Sequence, residues 1–236
     1  MERLQKVIAS SGYTSRRKAE ELILQKKVSV NGQIVNTLGT KVNYDDIIEI
    51  DGKMINKNTK KEYYLLNKPR NVISSVSDDK NRTTVVDLID TNERIYPVGR
   101  LDYDTTGLII LTNDGEFANH LMHPKNNIPK TYLAKVEGLI DKDTIDQLKK
   151  GVIVDNKKVN IVDFKIKKRD LDKITTYISI TIIEGRNHIV KNIFKALGFE
   201  VIKLTRTNYD FLDIGNLKSG EYRPLTIKEI KKLYSK

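Results

Sequence analysis

The sequence predicts an α+β protein in two parts: a small helix–helix–hairpin module, then a larger body whose strands and helices follow one another without regular alternation. Three observations carry this expectation. Apolar stripes at helical spacing occupy the N-terminus, an Asn31-Gly32 pair sits between two short alternating segments, and the lysine-rich run "GKMINKNTKKE" loses all periodicity before the strand-like "YYLLNKP" begins. The module is therefore assigned to residues 1–52, a linker to 53–62 and the body to 63–236.

Within the module, residues 2 to 11 and 15 to 25 are expected to be helices, with Leu4, Val7 and Ile8 on one stripe and Ala19, Leu22 and Ile23 on the other. Gly12 ends the first, and Ser15 caps the second by accepting a free backbone N–H of the opening turn. The segment "VSVNGQIV" reads as a hairpin, because Asn-Gly tolerates the positive φ that a tight two-residue turn demands. In the body, "YYLLNKP" and "IYPVG" are short strands, and "LIILT" at 108–112 suits a fully buried one. Asn113 and Glu116 have capping-box spacing, which starts a helix near residue 114 that turns Phe117, Leu121 and Met122 inward. Further on, "YISITI" alternates like a half-buried strand, and Ile189, Val190, Ile193, Phe194 and Leu197 share one helical face ahead of Gly198. Thr226 and Glu229 form a second capping box, stapled by Leu225 and Ile230.

Charge narrows the partner. The chain has 236 residues with 42 Lys and Arg against 31 Asp and Glu, a formal net charge of +11. Such a balance points to a polyanion, nucleic acid before an anionic membrane, because neutralised phosphates release their counterions. Arg16, Arg17 and Lys18 open the second expected helix, where free N–H groups and the macrodipole disfavour positive charge; an anion lying across that helix start would favour them. Lys26 and Lys27 follow at the far end and Asn31 lies in the next turn, which makes these six residues the candidate nucleic-acid contacts. The plain alternative is a solvated basic face.

Other classes are excluded or disfavoured. The absence of cysteine removes disulfides, thiolate nucleophiles and cysteine-ligated zinc. No apolar run reaches membrane-spanning length and "MERLQKVIASSGY" lacks a secretory pattern, so no membrane partner is expected and the cytoplasm is the expected location. The sequence contains no GxxxxGK, no GxGxxG after a strand and no GxSxG, which disfavours nucleotide-driven enzymes, dinucleotide oxidoreductases and common serine hydrolases. His120 and His123 in "HLMH" stand about one helical turn apart without the HExxH context of a zinc site. Neither metal nor cofactor is expected.

What remains is "GRLDYDTTGLIILTNDGEF", residues 99–117, with three aspartates around a buried-looking run in a basic chain. Asp102, Asp104 and Gly107 match the opening of a calcium loop, but its fifth and twelfth positions are Thr106 and Asn113, which do not meet the ligand requirement. Asp104 reads as an ordinary turn residue. Asp102 stands just where a strand enters the core, so its carboxylate is expected at the mouth of a cleft, with Arg100 or Arg186 as the cation that keeps it ionised.

"GRLDYDTTGLIILTNDG", preceded by "LLNKPRNVISS" and followed by "KTYLAKVEG" and "EGRNHIVKNIFKALG", resembles the RsuA/RluB-type family of ribosomal RNA pseudouridine synthases, in particular the RluB-type, large-subunit branch. The N-terminal "RLQKVIASSGYTSRRKAEELILQKKVSVNGQIV" is similar to an RNA-binding module shared with a small-subunit ribosomal protein. The resemblance covers nearly the whole chain. It implies a catalytic domain with a mixed, mostly antiparallel sheet flanked by helices, and isomerisation of a uridine without cofactor or metal. By the same resemblance Asp102 is the nucleophile, Arg186 its ion-pair partner, and Tyr132 the ring that packs on the uracil and assists the last proton removal. A uridine must leave its stack to react, and Arg100 would clamp the flipped nucleotide. Ribosomal RNA or a ribosomal assembly particle is the expected partner, and the chain is expected to act as a monomer. Where relatives commonly carry "RNRQVRRM", this chain has "RNHIVKNI", so His188, Ile189, Lys191 and Asn192 depart from the pattern. The alternatives are a non-catalytic ribosome-binding or assembly factor and a synthase directed at small-subunit RNA.

Overall fold

The computed structural model describes residues 1–57 and 59–235; Asn58, inside the expected linker, and Lys236, the last residue assigned to the body, lie outside the described residues. Backbone contacts divide the chain into two units. The first holds Met1–Glu62 with the short segments Thr91–Ile95 and Asn113–Gly115, and the second holds the remainder.

In the first unit the expected helices are α1 (Leu4–Ser10) and α2 (Arg16–Leu24), and Ser15 caps α2 by accepting from the Lys18 N–H at 3.2 Å. Gly12 follows α1 with φ +80°, a value open to glycine at little steric cost. The hairpin pairs Val28–Val30 with Gln33–Val35, and its turn residues Asn31 and Gly32 have φ of 51° and 79°, as a type I′ turn requires. Strands at Ile48–Ile50 and Lys53–Met54 extend the hairpin into a four-stranded sheet, and Leu4, Ile8, Ala19, Ile23, Val28 and Ile50 are fully buried in the core it shares with the helices. The linker expected at 53–62 is thus corrected at its start. Lys53 and Met54 lie in a strand, and of the two apolar residues here Met54 is exposed while Ile55 is buried in this same core.

The second unit is a nine-stranded sheet. Its main path runs Asp163–Asp170, Thr175–Ile182, Lys130–Glu137, Val201–Tyr209, Thr106–Thr112, Tyr63–Lys68, Tyr222–Pro224, and two short strands, Leu212–Asp213 and Tyr96–Pro97, pair beside it. Every pairing is antiparallel except that of Thr106–Thr112 with Val201–Tyr209. The helices are α3 (Gly115–Met122), α4 (Lys142–Lys150), α5 (Ile189–Ala196) and α6 (Ile227–Tyr234). Phe117, Ala118 and Leu121 of α3 and Leu233 of α6 pack on Leu65, Leu108 and Ile110, so the "LIILT" strand is buried as its composition demands. Ile189, Val190, Ile193 and Phe194 of α5 are buried in turn, giving that helix one committed face.

Two expectations about caps fare differently. Around α6 the box is complete: Thr226 and Glu229 exchange side-chain and backbone bonds, while Leu225 and Ile230 pack in the core above. At α3 the reading is one residue early. The Asn113 amide instead accepts from the Glu62 N–H at 2.9 Å and donates to the Lys60 carbonyl at 2.7 Å, and the helix begins at Gly115.

Candidate active site

Asp102 is positioned by backbone bonds on both sides. The buried Ser74 hydroxyl donates to the Leu101 carbonyl at 2.8 Å and accepts from the Leu101 N–H at 3.0 Å, fixing the residue before it. Asn71 N–H donates to the Tyr103 carbonyl at 2.8 Å, and Thr105 N–H returns to the Asp102 carbonyl at 3.1 Å to close a turn. From that turn the chain enters the Thr106–Thr112 strand. Residues 106–112 are therefore strand rather than the second half of a calcium loop, and the carboxylate stands at the strand's mouth with 24% of its side chain exposed.

Two cationic or potentially cationic groups meet it. Lys191 Nζ lies 3.1 Å from one Asp102 oxygen, and His188 Nε2 lies 3.2 Å from the other. Lys191 also donates to both oxygens of Asp104, at 2.8 and 3.0 Å. Partial burial opposes the charged form of Lys191, but hydrogen bonds to Asp104 and Asp102 outweigh it and hold the ammonium above its ordinary value. At Asp104, burial pushes upward, yet the Lys191 bond and the charges of Lys191 and Arg70 leave the carboxyl lowered. Asp104 is thus more than a turn residue; it shares the cation that serves Asp102. His188 and Lys191 come from α5 and its left-handed N-cap, where the apolar face is committed to the core and the opposite flank is free to reach the Asp102 turn.

The pairing expected of Arg186 is corrected here. Its Nε donates to Glu184 at 2.7 Å and its NH1 to the Val154 carbonyl at 3.2 Å, so a carboxylate two residues away captures the guanidinium. The cation on Asp102 is Lys191, one of the residues that depart from the family pattern.

Tyr132 sits on the Lys130–Glu137 strand and is 8% exposed. Strand register aligns it with Arg206, and Arg206 with Gly107, five residues after Asp102. Arg206 is buried at 3% exposure; its Nε donates to the Leu108 carbonyl at 2.6 Å and its NH1 to the Tyr132 hydroxyl at 3.5 Å. A Cβ at Gly107 would meet the Arg206 carbonyl oxygen at 2.2 Å, so only glycine permits this approach. Lys68, opposite Gly107 on the next strand, is fully buried and donates to the carbonyls of Val72 at 2.8 Å and Pro69 at 3.0 Å. Burial pulls its ammonium down to about 8, against the opposing pull of Asp104 and Asp102. Sequence reasoning passed over Lys68 and Arg206, and noted Lys191 only as a departure from the family pattern. For Lys68 the signal was a lysine inside an otherwise buried strand.

Arg100, beside the nucleophile candidate, is exposed and has no hydrogen-bond or ion-pair partner among the described residues. In the first unit, Arg16 and Arg17 are likewise exposed and unpaired among the described residues, Lys18 pairs with Glu21 at 2.7 Å, and Lys26 and Lys27 are exposed at the end of α2. Asn31 differs: its amide donates to Asp46 at 3.0 Å and accepts from the Ile47 N–H at 2.8 Å, so it braces the hairpin turn. The "HLMH" histidines are also occupied within the fold. His120 Nε2 faces the Leu233 carbonyl at 3.0 Å, its Nδ1 lies 3.2 Å from Asn126, and His123 accepts from the Lys125 N–H. Among the described residues no group of three or more His, Asp or Glu is arranged to hold a metal, and no helix is long and apolar enough to cross a membrane.

Residues 62–196 match the family described as RNA pseudouridylate synthase, and residues 2–48 match the S4 domain. Over 234 residues the chain is 51% identical to "Ribosomal large subunit pseudouridine synthase B" of Bacillus subtilis (strain 168), covering 99% of this chain and 96% of that protein. It is 41% identical over 240 residues to an "Uncharacterized RNA pseudouridine synthase" of Aquifex aeolicus (strain VF5), covering 98% and 93%. A solved structure described as "Crystal structure of pseudouridylate synthase" superimposes with a TM-score of 0.67 at 33% identity, covering 99% of this chain and all of that one.

Proposed function

This chain belongs to the RNA pseudouridylate synthase family and carries an N-terminal S4 domain, and from that premise we propose that it isomerises a uridine of large-subunit ribosomal RNA with Asp102 as the nucleophile. The observation that carries the reading is the half-buried Asp102 carboxylate, clasped between Lys191 at 3.1 Å and His188 at 3.2 Å at the start of a buried strand. The similarity to a relative named for the large subunit supports the choice of RNA.

The chemistry needs no redox partner, since uridine and pseudouridine contain the same atoms. The N1–C1′ bond breaks, a C5–C1′ bond forms, and the proton lost from C5 is balanced by one gained at the freed N1. Asp102 contributes the oxygen of a transient covalent bond that splits this change into easier steps. Lys191, 3.1 Å from that carboxylate, orients it for attack and stabilises its charge when it departs. Tyr132, held against Arg206, lies on the floor of the site as the ring on which the detached uracil rests and as the group that helps remove the proton. The target nucleotide swings out of its stack, at a cost of a few kcal/mol that is smallest in loops and bulges, and the free guanidinium of Arg100 meets its phosphate. Arg16, Arg17, Lys18, Lys26 and Lys27 of the S4 domain supply phosphate affinity; the first unit acts as the RNA-binding part and the second as the catalytic one. The protein works in the cytoplasm as a monomer on ribosomal RNA or an assembling particle.

Chemical mapping of pseudouridine across ribosomal RNA, from cells with and without the protein, tests the reading. One large-subunit uridine should lose its modification. Asp102→Asn should fail to restore it while binding RNA within about twofold of the wild type, and normal turnover by that variant would remove the nucleophile assignment.

A further inference from the structure

The four strands Asp163–Asp170, Thr175–Ile182, Lys130–Glu137 and Val201–Tyr209 have two unlike faces. Residues directly opposite in an antiparallel ladder project to the same side. On one side Arg206, Tyr132 and Ile180 align, flanked by Ala134, Val136 and Ile178, and all are buried. On the other, one row runs Lys203, Lys135, Tyr177, Lys168 and the next runs Thr205, Leu133, Ser179, Lys165. None of these side chains is buried.

Half-buried strands normally place their second face against water, but this one is chemically particular. Four lysines occupy its middle, and the carboxylates lie toward its ends, with Asp163 at one and Glu137 and Asp170 at the other. Asp170 reaches Lys168 only at 3.7 Å. Lys135 Nζ stands 5.5 Å from the centre of the Tyr177 ring. An open cavity of about 530 Å³ lies there, lined by Leu133, Lys167, Lys168, Tyr177, Ser179, Thr207 and Asn208. That volume falls within the roughly 300–1,000 Å³ that holds a small-molecule-sized group.

We propose that this open sheet face is a second RNA-docking surface, which takes a single-stranded segment of the substrate RNA with phosphates on the four lysines and a base against Tyr177. Charge complementarity chooses the occupant: a row of ammonium groups around one accessible ring is the pattern that tracks a backbone while stacking its bases, and it tolerates many sequences. Tyr132 and Arg206 project to the opposite side of the sheet, so this surface would hold RNA beyond the reacting nucleotide and lengthen the recognised segment. The inference rests on the RNA-substrate reading above.

Two variants test it, K135Q/K168Q/K203Q and Tyr177→Ala, with a short oligouridylate as the binding probe and a large-subunit ribosomal RNA transcript as the substrate. The triple variant should bind the oligouridylate at least tenfold more weakly, with the slope of log K against log salt reduced by about 2, some 0.7 per lost cation. Tyr177→Ala should weaken binding about tenfold with the slope unchanged. On the transcript both should raise KM and leave kcat intact, which a defect in the catalytic centre would not do. Unchanged affinity and slope would overturn the proposal. Lysine acetylation of the unaltered protein covers the case in which a variant misfolds. Protection of Lys135, Lys165, Lys168 and Lys203 by oligouridylate supports the surface; equal labelling with and without it refutes it, as does protection that appears only with ribosomal particles, which would assign the face to a protein partner. Failure of the wild type to isomerise the transcript would count against the proposed function, whereas the footprint reads the surface independently.

Discussion

Replacing Gly107 by alanine probes a close approach between the strand that follows Asp102 and the strand that carries Arg206. A Cβ there would lie 2.2 Å from the Arg206 carbonyl oxygen, 2.7 Å from its nitrogen and 2.8 Å from its carbonyl carbon. Ordinary contact begins at 3.4 Å, so relief demands about 1.2 Å of movement (3.4 − 2.2), and the obstacle is backbone that cannot swing aside. Overpacking of this kind reaches the upper part of the usual range of about 1–3 kcal/mol. The backbone adds its own cost, since φ is +105° at Gly107 and an L side chain in the left-handed region costs about 1–2 kcal/mol. The expected loss is about 3–5 kcal/mol, or roughly 10 °C in Tm at about 2–4 °C per kcal/mol. Gly198→Ala is the control: its φ is +84° and a Cβ there would meet nothing within 4 Å, so only the backbone cost of about 1 kcal/mol applies. Urea unfolding followed by far-UV circular dichroism separates the two. Equal unfolding free energies, within about 0.5 kcal/mol, would show that the strands part easily here and that the glycine is not required for packing.

Three other outcomes are expected. Lys191→Met should lower single-turnover isomerisation by at least about a hundredfold, as loss of one aimed donor does, with RNA affinity little changed, while Lys191→Arg retains most activity; full activity in Lys191→Met with none in Arg186→Met would return the ion-pair role to Arg186. Reversing Arg16, Arg17 and Lys18 to glutamate should weaken RNA binding and reduce its salt slope by about 2 to 3, and a filter-binding salt titration with unchanged slope would discount that helix start as a docking surface. Glu229 is held down to about 2 by hydrogen bonds from Arg223, against an ordinary 4.5, so its contribution to stability is complete above pH 4.5 and lost as pH falls through about 2. The stability gap between wild type and Glu229→Gln should therefore be widest above pH 4.5 and close near pH 2; a gap that does not vary with pH would contradict the ion pair.

Local chemistry was legible in the sequence, and tertiary partnership was not. The Asn31-Gly32 turn, the Ser15 cap and the Thr226–Glu229 box each depend on residues within a few positions, and each forms as its local signal requires. Asn113 carried the same kind of signal, but its amide is used by Lys60 and Glu62, some fifty positions earlier, which no local rule registers. The stretch 139–170 drew no reading, although Asp141 accepting from Thr144 announces α4 by an ordinary cap spacing, and Asp155-Asn156, both at positive φ, turn the hairpin of Val152–Val154 with Lys157–Val159. At the site, Asp102 could be singled out because an acid before a buried strand is unusual. Its partner could not, because Arg186 and Lys191 are five residues apart and only the fold decides which of them an acid in its own segment captures first.

Asp104 and Lys191 meet across 87 positions, and the parallel pairing of Thr106–Thr112 with Val201–Tyr209 joins strands about as distant in the chain. Such pairings have no tight turn to seed them and form slowly, whereas the S4 domain closes through neighbours. During synthesis this chain can therefore grip its RNA before it can alter it, and on dilution from denaturant, recovery of uridine isomerisation should lag recovery of RNA binding.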